Sequence, residues 1–364
     1  MRIALVTEFY YPHLGGVTEH VHNLALTFRR LGHEVIVVTS DMGDATHDGP
    51  FVRRIGTSRI IYSSGSFARV TTGRRLRSRL EDLFRNERID IVHTHGPLAP
   101  TLGLAAPAAA HRLGIPVVGT FHSWFPSSAL YRIFQRPLQR RLDRYAAAIA
   151  VSEPVIAAHS RYFQTEWHVI PNGIDTDVFR PCERPAGEGP RLLFLGRLDP
   201  RNGLDTVIKA MPRILAEQPD ARLIVAGDGP LRNVYERLAR PVADHVEFVG
   251  YVNGDRPERY GTADLYLCPT TKASFGITLL ESMACGTPMV VSDIIGFREL
   301  VDGGAEAVLA PKGEPEAWAK AALELIPDVG RRIRMGAAGR EKSLRFAWPV
   351  VAGRVLDVYQ SVIR

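Results

Sequence analysis

Short apolar runs alternate with longer amphipathic segments along the chain. Ile3 to Thr7 is an apolar run typical of a parallel strand that is buried on both faces. A helix is predicted next, from about Val17 to Leu31, and Gly32 is its stop signal. The same alternation predicts further strands in this half at Glu34 to Thr39, Ile89 to His93, Val117 to Phe121, Ala146 to Val151 and Trp167 to Ile170.

The alternation starts again in the second half, after a stretch rich in proline and glycine. That stretch, Arg180 to Pro190, is interpreted as the interdomain linker. Beyond it, a strand at Arg191 to Leu195 is followed by a helix from about Leu204 to Glu217. Later strands are predicted at Arg222 to Ala226, Val246 to Val249, Leu265 to Cys268 and Met289 to Val291, with an amphipathic helix near Trp348 to Arg364.

This alternation of strands and helices predicts an α/β protein of two doubly wound, Rossmann-like domains. A chain of 364 residues with 45% hydrophobic content is long enough for two cores. We expect one domain over residues 1–180, a second over residues 181–345, and a last helix over residues 346–364 that packs back on the first domain. Ligands of such sheets bind at the carboxyl ends of the strands, here in a cleft between the domains.

Composition favours a reduced protein with anionic partners over a nucleic-acid-binding, disulfide-linked or membrane-spanning one. The net charge of +6 is a mild bias toward anionic partners, and no nucleic-acid-binding motif accompanies it. The three cysteines are widely spaced, which favours reduced thiols in a cytoplasmic protein over disulfides or a zinc site. The first residues are typical of a strand rather than a signal peptide, and no run of 18 apolar residues is present.

The segment from Ser274 to Pro288 has the clearest pattern of a ligand-binding site. Ser274-Phe275-Gly276 precedes a helical run that contains Glu281. Gly276 allows backbone to come close to a ligand, and the amides of a starting helix favour an anion such as a diphosphate. A carboxylate in the first turns can accept two hydrogen bonds from a ribose diol. The alternative is an ordinary helix with one surface glutamate.

Several segments in order resemble one enzyme family. They are Gly15-Gly16-Val17, Thr120-Phe121-His122-Ser123, Ile170-Pro171-Asn172-Gly173-Ile174-Asp175, Leu195-Gly196-Arg197, Ala226-Gly227-Asp228-Gly229-Pro230 and Ser274 through Pro288. The chain is similar to retaining glycosyltransferases of family 4, and most similar to phosphatidylinositol mannosyltransferases. The resemblance implies the GT-B fold, with an N-terminal acceptor domain and a C-terminal donor domain facing across a cleft.

The resemblance also implies roles for individual residues. Gly15 and Gly16 resemble the loop that approaches the donor diphosphate, His122 the histidine that contacts the donor sugar, and Arg197 the arginine that clamps phosphate and stabilises leaving-group charge. His122, Arg197 and Asn202 are the implied catalytic residues. The implied donor-binding residues are Gly15, Gly16, Arg197, Gly250, Ala273, Ser274, Phe275, Gly276, Leu279, Leu280 and Glu281.

Two positions depart from the family pattern. Ala273 stands where the first acid of a Glu-x7-Glu segment is usual, and Asn202 stands where a lysine is usual. Losing a charge-assisted hydrogen bond costs roughly 1.5–3 kcal/mol, and a preorganised charge in the site can matter by about 10²–10³ in rate. Arg201 or Lys272 could supply the missing charge instead.

The family mechanism implies retention at the anomeric carbon and no metal. A nucleotide diphosphate sugar is the co-substrate, with GDP-mannose favoured over a UDP-sugar, and no other cofactor is expected. Asp175-Thr176-Asp177 follows the Pro-Asn-Gly turn and is interpreted as turn chemistry rather than a metal site.

A basic cluster suggests the acceptor. Arg69 and the group Arg74, Arg75, Arg77 and Arg79 accompany Leu76, Leu80, Leu83 and Phe84 at helical spacing. This pattern predicts either a basic amphipathic helix on anionic lipid or a solvated helix that packs its leucines on the core. A second basic stretch, Arg132 to Arg144, could widen the patch or bind a phosphorylated acceptor.

The leading hypothesis is a retaining transferase that moves a sugar, mannose favoured, to a lipid or polyol-phosphate acceptor such as a phosphatidylinositol. Its expected location is cytoplasmic, with peripheral contact to the inner face of the cell membrane. Ala273 and Asn202 keep two alternatives open. One is a catalytically silent relative that binds nucleotide or glycan, and the other is a GT-B phosphorylase or coupling enzyme.

Overall fold

The computed structural model describes residues 1–363 apart from residues 14, 45, 47, 64–65, 100, 184–188, 253 and 302, and without the side chains of residues 60–68. The chain divides into two compact units. One comprises Met1–Gly173 together with Trp348–Arg364, and the other comprises Ile174–Ala347. Each unit is an α/β layer structure built on its own sheet.

The first unit contains an eight-stranded sheet in the order β4-β3-β2-β1-β5-β6-β7-β8, parallel except for the β3–β4 pair. Its strands are β1 Arg2–Thr7, β2 Glu34–Asp41, β3 Val52–Ser63, β4 Ser66–Thr72, β5 Ile91–His95, β6 Val117–Phe121, β7 Ala147–Ala150 and β8 Trp167–Val169. Its helices are α1 Gly16–Arg30, α2 Leu76–Asn86, α3 Leu102–Arg112, α4 Ala129–Ile133, α5 Gln135–Leu142, α6 Glu153–His159 and, from the end of the chain, α14 Trp348–Val362.

The second unit contains a six-stranded parallel sheet in the order β11-β10-β9-β12-β13-β14. Its strands are β9 Arg191–Leu195, β10 Arg222–Ala226, β11 Val246–Gly250, β12 Leu265–Cys268, β13 Met289–Ser292 and β14 Ala307–Ala310. Its helices are α7 Leu204–Glu217, α8 Arg232–Leu238, α9 Arg256–Gly261, α10 Ile277–Ala284, α11 Ile295–Arg298, α12 Pro315–Leu325 and α13 Val329–Leu344.

Helices cover both faces of each sheet because the strands are apolar on both sides. In the first unit, Ile3 and Leu5 of β1 pack with α1 and α14, while Ala4 and Val6 pack with α2 and α3. Alternate side chains of a strand point to opposite faces, so a continuous apolar run needs a core on each side. The predicted fold class, two Rossmann-like α/β domains, is confirmed in each unit.

The boundary between the units lies a little before the predicted one. Ile174 donates to the carbonyl of Phe346 at 2.9 Å, and Arg340 donates to the carbonyls of Thr176 and Phe179 at 3.2 and 2.9 Å. The stretch after Gly173 is therefore bound to the second unit. Helix α14 is part of the first unit, where it packs against α1.

Three strands were not predicted from the sequence, namely β3, β4 and β14, Ala307–Ala310. The β3–β4 hairpin was not predicted because its strands are partly polar, and Arg69, which was grouped with a basic helix, lies in β4 instead. There its guanidinium donates to Ser58 at 3.1 Å. Part of the predicted linker, residues 184–188, lies outside the described residues.

Candidate active site

The site residues of the second unit lie at the carboxyl ends of β9 and β12. These two strands are neighbours, and the connections run outward from them in opposite directions along the sheet. A reversal of strand order leaves a crevice at the carboxyl edge, which is where ligands of doubly wound sheets bind. Arg197 and Asn202 follow β9, and the segment from Pro269 to Gly276 follows β12.

Glycines allow the loops at this edge to pack backbone against backbone. Gly203 has a φ of +69°, and a Cβ there would lie 2.3 Å from the carbonyl oxygen of Pro269. Gly227 has a φ of +143°, and its Cβ would lie 2.0 Å from the carbonyl oxygen of Gly196. Gly227 donates its amide to the carbonyl of Gly250 at 2.7 Å. Glycine is therefore required at both positions by conformation and by space.

Arg197 is exposed at this edge, and its guanidinium makes no hydrogen bond or ion pair with any described residue. Arg201 and Lys272 are exposed beside it in sequence and in the facing loop. Thr271 donates its amide to the carbonyl of Arg201 at 2.8 Å, which ties the two loops together. The edge therefore presents cations to solvent from a fixed backbone, and an anion is the ligand that such groups favour.

Asn202 contacts its own loop. Its side-chain Nδ2 donates to the carbonyl of Arg197 at 2.8 Å, and its Oδ1 accepts from the hydroxyl of Thr270 at 3.4 Å. These bonds fix the backbone of the arginine loop relative to the loop after β12. A lysine could not accept the second bond, so the asparagine has a positioning role that its sequence position did not reveal.

The segment Ala273 to Gly276 leads into α10. The carbonyl oxygen of Ala273 would lie 2.1 Å from a Cβ on Gly296, so this loop packs directly on the backbone of α11. Gly276 precedes the helix with a φ of +102°, and Phe275 is buried with its ring 6.1 Å from that of Phe346. The first amides of α10 point out of the helix without intrahelical acceptors, which suits a phosphate. Leu279 and Leu280 are fully buried and hold the helix on its unit.

The carboxylate of Glu281 is buried and hydrogen-bonded inside the second unit. It is 2% exposed, its Oε1 accepts from Arg256 at 2.9 Å, and its Oε2 accepts from Tyr260 at 3.0 Å. Burial, with a contribution from this carboxylate, raises the pKa of Tyr260 well above its usual value. The structure therefore gives Glu281 a role in binding α10 to α9. Its contact with a ribose diol stays a prediction.

The corresponding edge of the first unit lies at the ends of β1 and β5, where strand order also reverses. Gly15 and Gly16 begin α1 beyond the end of β1, and both are exposed. The backbone of Gly15 is extended, and a Cβ there would meet no atom closer than 3.8 Å. The fold does not require glycine at Gly15, so the absence of a side chain leaves room for a ligand.

His122 follows β6 and joins a cluster of histidines that comes from three elements. Its Nε2 lies 3.1 Å from Nδ1 of His95 at the end of β5, and its ring centroid lies 4.8 Å from that of His20 on α1. His93, also in β5, lies 4.3 Å from His95 between ring centroids. One ring nitrogen from each of His20, His95 and His122 lies within 4.8 Å of the others, a set that could hold a transition-metal ion.

The histidine cluster is neutral. Burial lowers the pKa of His20 to about 4 and that of His93 to about 3, and it lowers the pKa values of His95 and His122 well below the usual range. Repulsion between neighbouring rings adds to the effect on His95 and His122. Neutral imidazoles can donate and accept hydrogen bonds, so His122 can bind a sugar hydroxyl without bringing charge.

Asn172 orients the cluster. Its Oδ1 lies 2.9 Å from Nδ1 of His20, and the residue is 5% exposed. The next residue, Gly173, leaves no room for a side chain, because a Cβ would lie 2.5 Å from the ring of Trp348. The Pro-Asn-Gly turn predicted from sequence therefore also reaches the site. In the turn that follows, Asp175 accepts from the amides of Asp177 and Val178 at 3.1 Å, as expected for turn chemistry.

Glu8 was missed by the sequence analysis. It follows β1, is 2% exposed, and accepts from the hydroxyls of Thr71 and Thr101 and from the amide of Leu102. Burial raises its pKa. The amide of Leu102 is at the start of α3, so the carboxylate occupies the N-terminus of that helix. An acidic residue directly after a buried strand was the available signal.

The basic residues predicted to touch lipid lie around α2. Arg74, Arg75, Arg77 and Arg79 are all exposed, and Arg77 pairs with Glu81 at 3.4 Å. The apolar face of α2 is not exposed, because Leu80 and Phe84 are fully buried in the core. Of the two predicted possibilities, the structure favours the helix that packs its leucines on the core.

Comparisons with known proteins agree with this geometry. Residues 14–178 match the family model described as Glycosyltransferase Family 4, and residues 189–328 match that described as Glycosyl transferases group 1. The phosphatidyl-myo-inositol mannosyltransferase of Mycobacterium tuberculosis is 32% identical over 372 residues, covering 100% of this chain and 97% of the relative.

The chain belongs to glycosyltransferase family 4.

Further relatives of this glycosyltransferase differ in name. The D-inositol 3-phosphate glycosyltransferase of Thermobispora bispora is 28% identical, covering 78% of this chain and 73% of the relative. A subunit of the phosphatidylinositol N-acetylglucosaminyltransferase of Arabidopsis thaliana is 27% identical, covering 100% of this chain and 83% of the relative. The chain is therefore an enzyme of the transferase class, while the substrates in these names belong to those proteins.

Solved structures confirm the GT-B fold of this family 4 member. A glycosyltransferase from Rickettsia africae superposes with a TM-score of 0.80 at 16% identity, covering 100% of this chain and 98% of that one. HepE of Anabaena, solved in complex with UDP, superposes with a TM-score of 0.80 at 19% identity, covering 99% and 100%. No helix in the described part of this chain is long and apolar enough to cross a bilayer.

Proposed function

We propose that this glycosyltransferase moves a sugar, with mannose favoured, from a nucleotide diphosphate sugar to an inositol-containing lipid or polyol phosphate, with retention at the anomeric carbon. GDP-mannose is the favoured donor. The observation that carries the proposal is the exposed guanidinium of Arg197 at the end of β9, held by a fixed loop. A diphosphate is the ligand that this group and the N-terminus of α10 both suit.

The acceptor class is supported by what the relatives' names have in common. The three relatives described above are named for different sugars or for none, mannose and N-acetylglucosamine among them, but each name includes inositol. The phosphatidyl-myo-inositol enzyme is also the relative with the higher identity. An inositol headgroup is therefore a better supported part of the proposal than the identity of the sugar.

The proposed mechanism follows the family pattern. The acceptor hydroxyl attacks on the face from which the diphosphate leaves, and a phosphate oxygen takes its proton. Arg197 stabilises the charge that develops on the leaving group, and the neutral His122 orients a sugar hydroxyl. The protein supplies position and charge stabilisation rather than a side-chain base, and no metal is needed for this step.

A second candidate is a catalytically silent relative that binds nucleotide or glycan. It is favoured by Ala273, which stands where the family usually has the first glutamate. Asn202 adds less to that case than its sequence suggests, because it holds the arginine loop through the carbonyl of Arg197 and the hydroxyl of Thr270. A phosphorylase or coupling enzyme that uses another donor is the remaining alternative.

The deciding experiment measures release of nucleoside diphosphate from GDP- and UDP-sugars, with and without vesicles that contain phosphatidylinositol. We expect acceptor-dependent release from GDP-mannose and a loss of about 10²–10³ in rate in Arg197→Ala. Arg197→Ala is preferred over a change at Glu281 because Arg197 is exposed and Glu281 is bound to Arg256 and Tyr260. The variant should therefore remain folded.

Ala273→Glu separates the alternatives. Activity of the native chain that is lost in Arg197→Ala supports the transferase. A native chain that releases nothing, while Ala273→Glu is active, identifies a silenced site. If neither releases nucleotide from any donor yet both bind it, the transferase proposal is wrong.

A further inference from the structure

Three histidines from separate elements meet at the carboxyl edge of the first sheet. His20 lies on α1, His95 ends β5 and His122 follows β6. One ring nitrogen from each lies within 4.8 Å of the other two. Nitrogens that bind one Zn²⁺ ion in tetrahedral geometry, at about 2.0–2.1 Å from the metal, are roughly 3.3 Å apart. Shifts of at most about 1.5 Å would therefore bring the three rings to the spacing of a shared ion.

Two of the rings keep a nitrogen that no protein group uses. Nδ1 of His20 lies 2.9 Å from Oδ1 of Asn172, and an amide oxygen only accepts, so Nδ1 carries the proton and Nε2 keeps its lone pair. Nε2 of His95 is buried and makes no hydrogen bond with any described residue. Buried polar atoms are nearly always paired, so this nitrogen, next to two further imidazoles, indicates a ligand of the cluster.

The orientation of His20 is set by its surroundings. Asn172 is itself 5% exposed, and the ring of Trp348 packs edge-on against that of His20 at 5.3 Å between centroids. Histidines that bind a metal nearly always donate their other N–H to an oxygen acceptor, which fixes the tautomer and the direction of the ring. The contact between His20 and Asn172 has this form, so His20 is prepared to bind an ion through Nε2.

His93 lies beside the three histidines but does not share this property. Its ring centroid is 4.3 Å from that of His95. Its Nδ1 lies 2.6 Å from the hydroxyl of Tyr359 and its Nε2 lies 2.6 Å from that of Thr120, so both ring nitrogens are engaged. His93 is therefore a neighbour of the cluster rather than a ligand, and it offers a matched control from the same strand.

The chemistry of the group selects the kind of ion. Within the described part of the chain, the group consists of imidazoles and includes no carboxylate or thiol. Neutral imidazoles suit Zn²⁺, Cu²⁺, Ni²⁺ and Co²⁺, whereas Mg²⁺ and Ca²⁺ require oxygen ligands. His20 and His95 are buried and His122 is half-buried, so an ion can enter beside His122 and keep an open coordination position there.

We propose that His20, His95 and His122 bind one divalent transition-metal ion of the Zn²⁺ class, and that the bound ion inhibits sugar transfer. The inhibition rests on the proposed function, in which His122 orients a sugar hydroxyl. An imidazole that coordinates the ion has given up the lone pair with which it would accept from that hydroxyl. The ion takes no part in the transfer reaction, and it acts as a regulatory ligand of the edge that receives the sugar.

The test adds metal alone to the native chain after a chelator has removed bound ions. We expect Co²⁺ to produce the visible d–d absorption of a nitrogen-bound site, Zn²⁺ to abolish it by displacement, and Mg²⁺ to leave it unchanged. Equilibrium dialysis should give one Zn²⁺ per chain. X-ray absorption of the zinc-loaded native chain should show three imidazole ligands at about 2.0–2.1 Å, a measurement that needs no variant.

Matched variants locate the ion. His20→Gln and His95→Gln each remove one ligand, and each should lower the affinity for Zn²⁺ by more than the roughly 10–100-fold that loss of an outer-shell partner costs. His93→Gln removes a histidine from the same strand and should bind like the native chain. Cys182→Ser should also bind like the native chain, which excludes the exposed thiol as the ligand. Circular dichroism checks that each variant is folded.

The inhibitory effect has its own measurement. Zn²⁺ should slow sugar transfer by the native chain, and it should slow His95→Gln much less when each rate is compared with that of the same chain without zinc. If Zn²⁺ binds at the three histidines but leaves the native rate unchanged, the regulatory part of the inference is wrong.

Four outcomes overturn the metal site. They are a native chain that binds neither Co²⁺ nor Zn²⁺, fewer than three imidazole ligands in X-ray absorption, His20→Gln and His95→Gln variants that bind like the native chain, and a His93→Gln variant that loses as much affinity as they do. Metal binding needs no sugar donor, so it can succeed while the transferase proposal fails. Equally, sugar transfer can succeed in a chain that binds no metal.

Discussion

The carboxyl edges of the two sheets hold their polar groups in opposite ways. At the edge of the first sheet, the polar groups are buried and neutral histidines, together with a buried glutamate. At the edge of the second sheet, Arg197, Arg201 and Lys272 are exposed cations, Asp199 accepts from the amide of Asn202, and Glu281 is buried between two helices. One edge therefore offers uncharged hydrogen-bonding groups, and the other offers positive charge.

This difference makes the two edges suited to different chemical groups of a ligand. A diphosphate needs charge that does not have to be desolvated inside the protein, and exposed arginines meet that need. A sugar hydroxyl needs donors and acceptors in fixed positions, and buried imidazoles are held in place by their neighbours. The same contrast predicts that substitutions of buried groups at either edge mainly change stability, while those at the exposed cations mainly change ligand binding.

The largest effect on stability is expected at the buried acid of the second edge. Glu281→Ala removes the buried carboxylate that accepts from Arg256 and Tyr260, and it should cost about 3–5 kcal/mol, as removing one partner of a buried ion pair does. Arg197→Ala should change stability by less than about 0.5 kcal/mol, because the side chain is exposed. Hydrogen exchange of the α9 and α10 amides measures the difference, and Glu281→Gln, which keeps an acceptor for Tyr260, should be intermediate. Equal protection of these amides in all three variants would contradict the expected difference between buried and exposed groups.

A smaller effect is expected at the buried acid of the first edge. Glu8→Ala removes the acceptor of Thr101 and Leu102 and should cost about 1–3 kcal/mol in the free energy of unfolding of the first unit. Thr101 has a φ of +84°, a strained value that these bonds help to hold. Urea unfolding followed by exchange at α3 is the measurement. Glu8→Gln is the control, since its amide oxygen can still accept, and a cost equal to that of alanine would show that the carbonyl alone does not support α3.

At neutral pH the smallest effect is that of the histidines, and it grows as the pH is lowered. The cluster histidines have depressed pKa values when folded, about 4 for His20 and about 3 for His93, against 6.5 when unfolded. Below about pH 6.5 the unfolded chain binds protons that the folded unit does not, so stability falls by roughly 1.4 kcal/mol per pH unit for each histidine until its folded pKa is reached. Thermal unfolding between about pH 7 and pH 5 measures the slope.

The matched control for the pH dependence is His93→Gln. It should reduce the slope by the contribution of one histidine, and at neutral pH it should still offer partners to Thr120 and Tyr359, which His93 contacts at 2.6 Å. A slope that is unchanged in this variant would mean that the acid lability arises elsewhere.

Most of the strand and helix framework could be predicted because local pattern decides it. The strand at Arg191 to Leu195, the helix at Leu204 to Glu217 and the strand at Arg222 to Ala226 have the predicted bounds. The two strands are mostly apolar and the helix is amphipathic, so the local pattern identifies each element. The β3–β4 hairpin was missed because its strands include polar residues such as Arg53 and Arg54.

The site could be predicted only where a motif is contiguous in sequence. Arg197 and the segment around Gly276 were predicted in this way, and the structure places both at the carboxyl edge of the second sheet. The histidine cluster was not, because His20, His95 and His122 come from separate elements and meet only after the sheet has formed. Nor does the sequence pattern of α2 decide whether its apolar face is buried, and the structure shows that Leu80 and Phe84 are.

Helix α14 has a consequence for how the protein is made. Its residues Val351, Val355 and Tyr359 complete the core of the first unit, and Tyr359 contacts His93 beneath the histidine cluster. Because a ribosome delivers the chain in order, the whole of the second unit emerges before this helix does. Domains usually fold as they emerge, N-terminal first. Here we expect the second unit to mature first, while the first unit waits for the closing helix and is the part of the nascent chain that chaperones would protect.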